Sequence, residues 1–239
     1  MHAEATQRTT SAPLLDWSKI DTVILDMDGT LIDLNYDNHV WNDLVPVAYA
    51  EAANLSLTQA KQNLHEHMAE IHGTIQFYNF DYWSNYCGIN MVAIHELVTE
   101  MIAYRSGVLE FLEWLNDSGR QTIIATNAHR DSVVIKNRFT NIEAVVPKLV
   151  SSHDYGYPKE DPRFWASLQH QHPYTPSHAL FVDDNEPVLD AAALAGINHL
   201  LCVSEPDSDR PLRTNLSYPS FNCFSEIYDP CLSPKPATT

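Results

Sequence analysis

Residues 22–30 read TVILDMDGT, an apolar run that ends in two aspartates separated by one residue. A continuous run of β-branched and aliphatic side chains is typical of a strand that is buried on both faces, as in a parallel sheet. Asp26 and Asp28 follow this run directly. Ligands bind outside the carboxyl ends of the strands in an open parallel sheet. The segment therefore predicts a buried strand with a ligand-binding position at its end.

Further apolar runs alternate with amphipathic segments along the chain. The apolar runs are 121–126, 144–151, 178–183 and 199–203, and the amphipathic segments are 108–117, 132–139, 161–169 and 187–194. Gly119 and Gly196 stand where two of these helices should end. The alternation of strands and helices predicts an α/β fold with a Rossmann-like, doubly wound parallel sheet.

The connection between the first two predicted strands, residues 27–120, is far longer than one crossover helix requires. Helix-like segments fill it at 40–54, 58–71, 82–86 and 92–102. We therefore expect a helical module inserted at residues 35–104. Residues 1–34 and 105–239 would then form the α/β core.

The chain has 31 acidic and 14 basic side chains, which gives a formal net charge of −17. Binding to nucleic acid through its phosphates needs clustered Lys and Arg, so we expect no nucleic-acid partner. Adhesion to an anionic membrane is disfavoured for the same reason. A small phosphorylated ligand is compatible with this charge if a metal or a few cations offset the local field.

The cysteines are widely spaced and include no C-x-x-C pair. They are Cys87, Cys202, Cys223 and Cys231. This pattern is typical of a reduced, cytoplasmic protein rather than of a disulfide framework. The first sixteen residues are polar and lack the apolar core of a signal peptide. We therefore expect a cytoplasmic location, with Cys202 buried in an apolar strand.

Polar groups follow the predicted strands at several separate places in the chain. They are Asp26 with Asp28, Thr126 with Asn127, Lys159, and Asp183 with Asp184. Because the carboxyl ends of parallel strands meet at one edge of a sheet, these groups should converge on one crevice. Carboxylates that lie so close together need a cation, and hard oxygen ligands favour Mg²⁺. Lys159 and Thr126 would add a positive charge and a hydrogen-bond donor for phosphate oxygens.

At these residues the chain resembles the haloacid dehalogenase superfamily, over about residues 18–205. The family's four motifs occur in the family's order. They are Asp-x-Asp-x-Thr at 26–30, a Ser or Thr after a strand at Thr126, a Lys followed by x-x-Pro at Lys159, and an acidic pair at 183–184. The resemblance implies this family's α/β core, with the helical insertion as a cap that closes over the crevice.

The resemblance also implies how the aspartates would act. Asp26 would attack phosphorus, and Asp28 would protonate the leaving oxygen and then deprotonate the water that breaks the aspartyl-phosphate. Asp26, the backbone carbonyl of Asp28 and Asp184 would hold Mg²⁺, and Asp183 would hold a metal-bound water. An acid at position 28 favours phosphate transfer over dehalogenation.

The remaining motif residues would bind phosphate. The resemblance implies that Thr126 and the backbone of Asn127 contact the phosphate, while Lys159 ties the nucleophile to it. We therefore expect Asp26, Asp28, Lys159 and Thr126 to be the catalytic residues of a phosphoric monoester hydrolase.

A closer resemblance is to the bacterial GMP/IMP 5′-nucleotidase branch of this superfamily. It is carried by DMDGTLIDL at 26–34, DYW at 81–83, TNAH at 126–129 and GYPKED at 156–161. It implies hydrolysis of the purine mononucleotides GMP and IMP to nucleoside and phosphate. Aromatic residues at 77–83, with Tyr86, offer faces on which a base could stack. Core packing is the alternative interpretation of each ring.

Two other functions use the same motifs. One is a phosphatase or phosphomutase for a sugar phosphate or another small metabolite, which only the cap would distinguish. The other is a non-catalytic binder of phosphorylated ligands, against which the intact Asp26 and Asp28 argue.

Four further polar residues lie near the motifs. His129 is a candidate for a position near the substrate. Asp33 and Asp37 are expected to be solvated turn residues, with a role at the hinge of the cap as the alternative. Asp190 is expected on a helix surface.

Overall fold

The computed structural model describes residues 14–229, within which six parallel strands form one sheet. The strands are β1 (Thr22–Leu25), β2 (Gln121–Thr126), β3 (Leu149–Ser151), β4 (Ala179–Asp183), β5 (His199–Val203) and β6 (Ser220–Phe221). Their order across the sheet is β3-β2-β1-β4-β5-β6, and every neighbouring pair is parallel. The predicted α/β fold is therefore confirmed.

Strand β1 lies in the middle of the sheet, and all four of its residues are buried. Its last residue, Leu25, is in register with Ile124 of β2 and Val182 of β4. The residues that follow β1 and those at the ends of β2 and β4 therefore reach the same edge of the sheet. This register is what brings the motif residues together.

Helices cover both faces of the sheet. They are α6 (Val108–Asp117), α7 (Arg130–Thr140), α8 (Ile142–Val145), α9 (Pro162–Gln171) and α10 (Glu186–Leu194). Val23 of β1 belongs to the same buried cluster as Phe111 of α6, whereas its neighbour Ile24 belongs to a second cluster with Phe164 of α9. Alternate side chains of one strand thus enter two cores, which is the doubly wound arrangement.

The predicted strand at 144–151 is correct only in its last three residues. Helix α7 ends at Thr140, and its C-cap residue Asn141, which has a left-handed φ of 54°, leads directly into the short helix α8. Asn tolerates this conformation better than other non-glycine residues do. Residues 142–145 therefore extend the helical layer, and β3 begins only at Leu149.

Helices also fill the long connection between β1 and β2. They are α1 (Asn35–His39), α2 (Val45–Ala53), α3 (Leu57–Ile71), α4 (Phe80–Cys87) and α5 (Met91–His95), with a π-helical turn at Val40–Leu44 and 3-10 turns at Ile75–Tyr78 and Glu96–Met101. The division into a core and a cap at residues 35–104 stays a prediction. Residues 1–13 and 230–239 of the predicted core lie outside the described range.

Cys87, Cys202 and Cys223 are free thiols, and Cys202 is buried as expected. Cys231 lies outside the described residues. Between residues 14 and 229, no helix has both the length and the apolar character that a membrane crossing requires.

Candidate active site

One cavity of about 460 Å³ opens at the carboxyl edge of the sheet, and all of the predicted site residues line it. They are Asp26, Asp28, Thr126, Asn127, Lys159, Asp183 and Asp184. Strand register explains this convergence, because β1, β2 and β4 are neighbours and end together. The structure therefore brings together residues from four separate parts of the chain, while their individual roles stay predictions.

Three carboxylates form a tight group at the floor of this cavity. Asp26, Asp183 and Asp184 each offer one oxygen, and these oxygens lie within 4.8 Å of one another. Burial raises the pKa of Asp26 to about 7, of Asp183 to about 6 and of Asp184 to about 7. Neighbouring carboxylates add to each shift, since like charges repel at this distance.

The ammonium of Lys159 lies within this group and is itself buried. It donates to Asp26, and its Nζ lies 2.7 Å from Oδ2 of Asp183. Burial alone would lower the pKa of Lys159, but the attraction of Asp183 and Asp26 more than offsets it, so the pKa lies above its ordinary value. Lys159 is therefore held as a permanent cation at the centre of the site.

The donor set fits a hard divalent cation. Two buried carboxylates, Asp26 and Asp183, contact one ammonium, and the half-buried carboxylate of Asp184 lies beside them, so the ionised group keeps an excess of negative charge. Oxygen ligands of this kind suit Mg²⁺, which is commonly shared between a few protein carboxylates and a substrate phosphate. The site thus has the charge and ligand chemistry for the predicted ion.

Gly29 allows the loop after β1 to approach Asp184. Its φ is +82°, a left-handed conformation that glycine adopts without steric cost. A Cβ atom at this position would lie 2.9 Å from Cγ of Asp184. The glycine of the Asp-x-Asp-x-Thr motif is therefore required both by the turn and by the packing of the carboxylate group.

The loop between β2 and α7 forms a second wall of the site. Thr126 Oγ1 accepts a hydrogen bond of 3.0 Å from the backbone N–H of Ala128. Asn127 uses its side chain within the protein: its Oδ1 accepts from the backbone N–H of Lys159 at 2.8 Å, and its Nδ2 donates to Glu160 at 3.0 Å. Its backbone remains the group with which it would contact phosphate.

Lys136 was missed by the sequence reasoning. Its ammonium lies 2.7 Å from Oδ1 of Asp28 and 2.7 Å from Oδ1 of Asp37, and its side chain is fully buried. The expectation that Asp37 is a solvated turn residue is therefore wrong, because the carboxylate is held in this ion pair. One sequence signal was available: Lys136 occupies the same buried face of α7 as Val133.

Burial raises the pKa of Asp28 to about 6, and the nearby Lys136 ammonium opposes that rise. Lys136 itself loses solvation, which lowers its pKa, but Asp28 and Asp37 more than compensate, so its pKa lies above the usual range. The pair thus combines a permanent cation with a carboxyl group that can exchange a proton near neutral pH.

The helical connection supplies a further wall of the cavity. Its apolar and aromatic side chains on this wall are Leu34, Trp41, Met68, His72, Phe77, Tyr78 and Phe80, and its polar side chains are Asp37, Asn38 and Asn42. Tyr78 also donates a 2.6 Å hydrogen bond to Glu160, which directly follows Lys159 in the chain. This wall is therefore joined by a hydrogen bond to the segment that carries Lys159.

The aromatic stripe at 77–83 divides between cavity and core. Phe77, Tyr78 and Phe80 line the cavity, whereas Trp83 is fully buried. Tyr86, which was also considered as a base contact, stacks on His67 at 4.1 Å and does not line the cavity. Core packing is therefore the correct interpretation for Trp83 and Tyr86, whereas Phe77, Tyr78 and Phe80 stay candidates for contact with a base.

The other candidate residues, His129, Asp33 and Asp190, lie in three different surroundings. His129 lines the cavity and stacks on Phe80 at 5.5 Å, as expected of a residue near the substrate. Asp33 is a turn residue whose Oδ1 accepts from the backbone N–H of Asn35 at 3.0 Å. Asp190 is exposed on α10, where it accepts a hydrogen bond from Tyr218.

Comparison with known proteins places this arrangement in a family. The family model described as a haloacid dehalogenase-like hydrolase matches residues 20–196. The chain is 36% identical over 211 residues to the GMP/IMP nucleotidase YrfG of Escherichia coli, which covers 88% of this chain and 95% of that protein.

Solved structures share the fold at lower sequence identity. A HAD phosphatase from Thermococcus onnurineus superposes with a TM-score of 0.72 at 15% identity, over 87% of this chain and 96% of that one. YfnB of Bacillus subtilis, solved with bound magnesium, gives a TM-score of 0.58 at 14% identity, over 87% and 97% of the two chains.

Proposed function

We propose a substrate for this chain, which belongs to the haloacid dehalogenase-like hydrolase family and is a phosphatase of that type. The substrate is a purine nucleoside 5′-monophosphate, with GMP and IMP preferred. The products are the nucleoside and inorganic phosphate. The sequence identity of 36% over 211 residues to YrfG, which is named as a GMP/IMP nucleotidase, supports this substrate.

The main support for the proposal is that one cavity is lined by two chemically different groups of side chains. Its volume of about 460 Å³ lies in the range of small-molecule sites. Lys159 and Thr126 line it together with the carboxylates, where a phosphate would bind. The half-buried rings of Trp41 and Phe77 line the same cavity, and a purine could stack on them.

The first chemical step is assigned to Asp26 and Asp28. A carboxylate oxygen of Asp26 attacks phosphorus, so that a new P–O bond forms while the ester P–O bond to the nucleoside breaks. Asp28 gives its proton to the departing 5′-oxygen, which leaves as a hydroxyl group. A carboxyl group with a pKa of about 6 is suited to this transfer near neutral pH.

The second step releases phosphate. Asp28, now ionised, takes a proton from a water molecule, and the oxygen of that water attacks phosphorus. The bond between phosphorus and Asp26 breaks, which returns the nucleophile to its starting state. One aspartate therefore serves as acid and then as base.

Positive charge must offset the charge of the phosphate during both steps. Lys159 contacts the nucleophile directly and would also contact a phosphate oxygen, while Thr126 and the backbone of Asn127 would donate hydrogen bonds to it. Asp26, Asp184 and the backbone carbonyl of Asp28 would hold Mg²⁺, with Asp183 beside them. When bound, the ion neutralises charge on the phosphate.

The wider proposal concerns the organisation and setting of the enzyme. Residues 35–104 act as a cap on a core formed by residues 1–34 and 105–239. The cap excludes water and recognises the nucleoside, because its rings line the same cavity as the carboxylates. The partner is a small phosphorylated metabolite in the cytoplasm, rather than nucleic acid or a membrane.

A substrate panel tests the proposal. Phosphate release is measured with GMP, IMP, AMP, CMP and a set of hexose phosphates, each with Mg²⁺ and with chelator. We expect release that requires Mg²⁺ and is fastest with GMP and IMP. Release from hexose phosphates without release from purine nucleotides would overturn the substrate assignment. Binding of GMP without turnover in the presence of Mg²⁺ would instead favour a non-catalytic binder.

A further inference from the structure

The side chain of Lys136 is fully buried and has a carboxylate on each side. Nζ lies 2.7 Å from Oδ1 of Asp28, and 2.7 Å and 2.9 Å from the two oxygens of Asp37. It also lies 5.5 Å from the centre of the Tyr36 ring. A buried ammonium held by charge-assisted hydrogen bonds has little freedom to move. The position of this cation is therefore well defined.

Helix α7 fixes that position relative to the phosphate loop. Strand β2 ends at Thr126, Asn127 lies in the short loop that follows, and the helix starts at Arg130. Lys136 lies in the middle of this helix, on its buried face. One short continuous segment thus carries both the predicted phosphate-binding backbone of Asn127 and the cation that contacts Asp28.

The contact with Lys136 determines which oxygen of Asp28 can exchange a proton. An ammonium group has donors and no acceptor, so the oxygen that faces it cannot carry a proton toward it. Lys136 faces Oδ1. The proton that passes to the leaving oxygen must therefore be carried by Oδ2.

We propose that Lys136 is a positioning residue that holds the carboxyl group of Asp28 with Oδ2 directed to the leaving oxygen, and that Asp37 holds Lys136 in place. This inference rests on the proposed role of Asp28 as the acid and base. Lys136 is fully buried and does not line the cavity. Its effect passes through the orientation of Asp28, and it should be felt most when the leaving group needs a proton.

Asp37 extends this arrangement to the helical connection. It lies in α1, the first helix after β1, whereas Lys136 belongs to the core helix α7. The ion pair therefore joins the predicted cap to the acid of the predicted mechanism. Loss of the Asp37 carboxylate should leave Lys136 less firmly held. Its effect on the orientation of Asp28 should therefore be smaller than that of losing Lys136 itself.

Two phosphate esters with leaving groups of different basicity test the proposal. The para-nitrophenolate of para-nitrophenyl phosphate leaves without a proton, whereas the alkoxide of benzyl phosphate needs one. Their kcat/KM values report the steps up to departure of the leaving group. Both esters carry a single ring and no nucleoside, so failure of GMP hydrolysis would leave this comparison intact.

The variants are Lys136→Met, Lys136→Arg, Asp37→Asn and Asp28→Asn, with circular dichroism as the check on folding. We expect Lys136→Met to lower kcat/KM by about 100-fold for benzyl phosphate and by less than about tenfold for para-nitrophenyl phosphate. Lys136→Arg should restore part of the loss, and Asp37→Asn should show a weaker bias in the same direction. Adding Lys136→Met to Asp28→Asn should cause little further loss.

Arg138→Met is the matched control. Arg138 lies on the same helix and forms a 2.6 Å ion pair with Glu96, so it too links α7 to the helical connection. The side chains of Arg138 and Glu96 are both exposed, and neither contacts Asp28. This variant should leave the ratio of the two kcat/KM values unchanged.

The outcomes separate the inference from the mechanism on which it rests. If Asp28→Asn affects both esters equally, Asp28 is not the acid and the proposed mechanism fails. If Asp28→Asn is selective for benzyl phosphate but Lys136→Met is not, Lys136 is a structural ion pair and the inference alone fails. If Lys136→Met does not fold, Asp37→Asn and Lys136→Arg decide, and equal losses on both esters in these variants overturn the proposal.

Discussion

Gly29 allows the loop after β1 to approach Asp184 closely. Its positive φ and the 2.9 Å separation between a built Cβ and Cγ of Asp184 are two separate constraints. Many turns impose the first constraint, whereas the second is specific to the carboxylate group. A substitution here should therefore affect metal binding as well as stability.

We predict that Gly29→Ala lowers the Mg²⁺-dependent activity by about tenfold or more, because the new Cβ displaces the Asp184 carboxylate from the position in which it would bind the ion. Gly73→Ala is the control, since Gly73 has a φ of +76° and nothing within 4 Å of its built Cβ. Both variants should lose about 1–2 kcal/mol of stability from backbone strain. Titration of activity with Mg²⁺ checks the prediction, and equal Mg²⁺ dependence in the two variants would contradict it.

His95 is a buried histidine beneath the cavity wall. Its ring is 1% exposed and lies 4.2 Å from the ring of Phe80. Its Nδ1 is 2.8 Å from the carbonyl oxygen of Met91, and Nε2 has no hydrogen-bond partner among the described residues. Burial lowers its pKa to about 4, so the folded protein holds this ring neutral.

This burial predicts a loss of stability in acid. An unfolded histidine has a pKa of about 6.5, so between that value and about 4 the unfolded chain binds more protons. The free energy of unfolding therefore falls as the pH falls through this window. His95→Phe should remove about 2 kcal/mol of the decrease between pH 7 and pH 5. Urea unfolding at both pH values measures the free energy of unfolding. If it falls as much in His95→Phe as in the unaltered protein, His95 is not the cause of the acid-induced loss of stability.

At the scale of elements, we expect the cavity wall formed by the helical connection to control which phosphate ester fits. Phe77 and Trp41 are half-buried and line the cavity, whereas Tyr86 is half-buried but packs on His67 instead. These rings have similar exposure and different surroundings. Comparing substitutions of these rings therefore distinguishes an effect on base recognition from a general effect on the stability of the helices.

We predict that Phe77→Ala raises the KM for GMP about tenfold, because the stacking of a base on an aromatic ring is worth about 1–3 kcal/mol. Hydrolysis of ribose 5-phosphate, which has no base, should change little. Tyr86→Ala is the matched control and should leave the KM for GMP near the wild-type value. Equal changes in KM for both substrates would exclude Phe77 from base recognition.

The elements that could be predicted are those with a strong local pattern. Strands β1 and β4 are continuous apolar runs, and α6 has the bounds Val108–Asp117 that its amphipathic spacing indicates. Strand β6 has only two residues, Ser220–Phe221, which is too short for any periodicity. It pairs with β5 because of its place in the fold rather than because of its own sequence.

The candidate site shows the same limit. Asp26, Thr126 and Asp183 were found because each lies at the end of an apolar strand. Lys136 lies in the middle of a helix, and its partner Asp28 is 108 positions away in the chain. Nothing in the local sequence of either residue specifies that contact, which depends on how α7 packs against the loop after β1.

At the scale of the whole molecule, electrostatics explains how an acidic chain can bind an anionic substrate. The formal net charge is −17, yet Lys159 and Lys136 are both buried beside the cavity. Short-range contacts in a poorly solvated site outweigh the field of distant surface charges, which salt screens. The carboxylate group supplies the remaining requirement, a place for a divalent cation.

In the proposed mechanism, Asp26 attacks phosphorus in a Mg²⁺-dependent hydrolysis of purine mononucleotides. The most direct test compares phosphate release from GMP by the unaltered protein and by Asp26→Asn, each with Mg²⁺ and with excess chelator. The substitution keeps the size of the side chain and replaces the nucleophilic carboxylate by an amide, whose oxygen is a poor nucleophile. Circular dichroism and thermal unfolding establish that the variant is folded.

We predict rapid release by the unaltered protein with Mg²⁺ and almost none with chelator. With Mg²⁺, Asp26→Asn should release phosphate about 10³-fold or more slowly than the unaltered protein, and chelator should lower its rate little further. Release by Asp26→Asn at a rate near that of the unaltered protein would contradict the account, because the chemistry could not then pass through an aspartyl-phosphate at this residue.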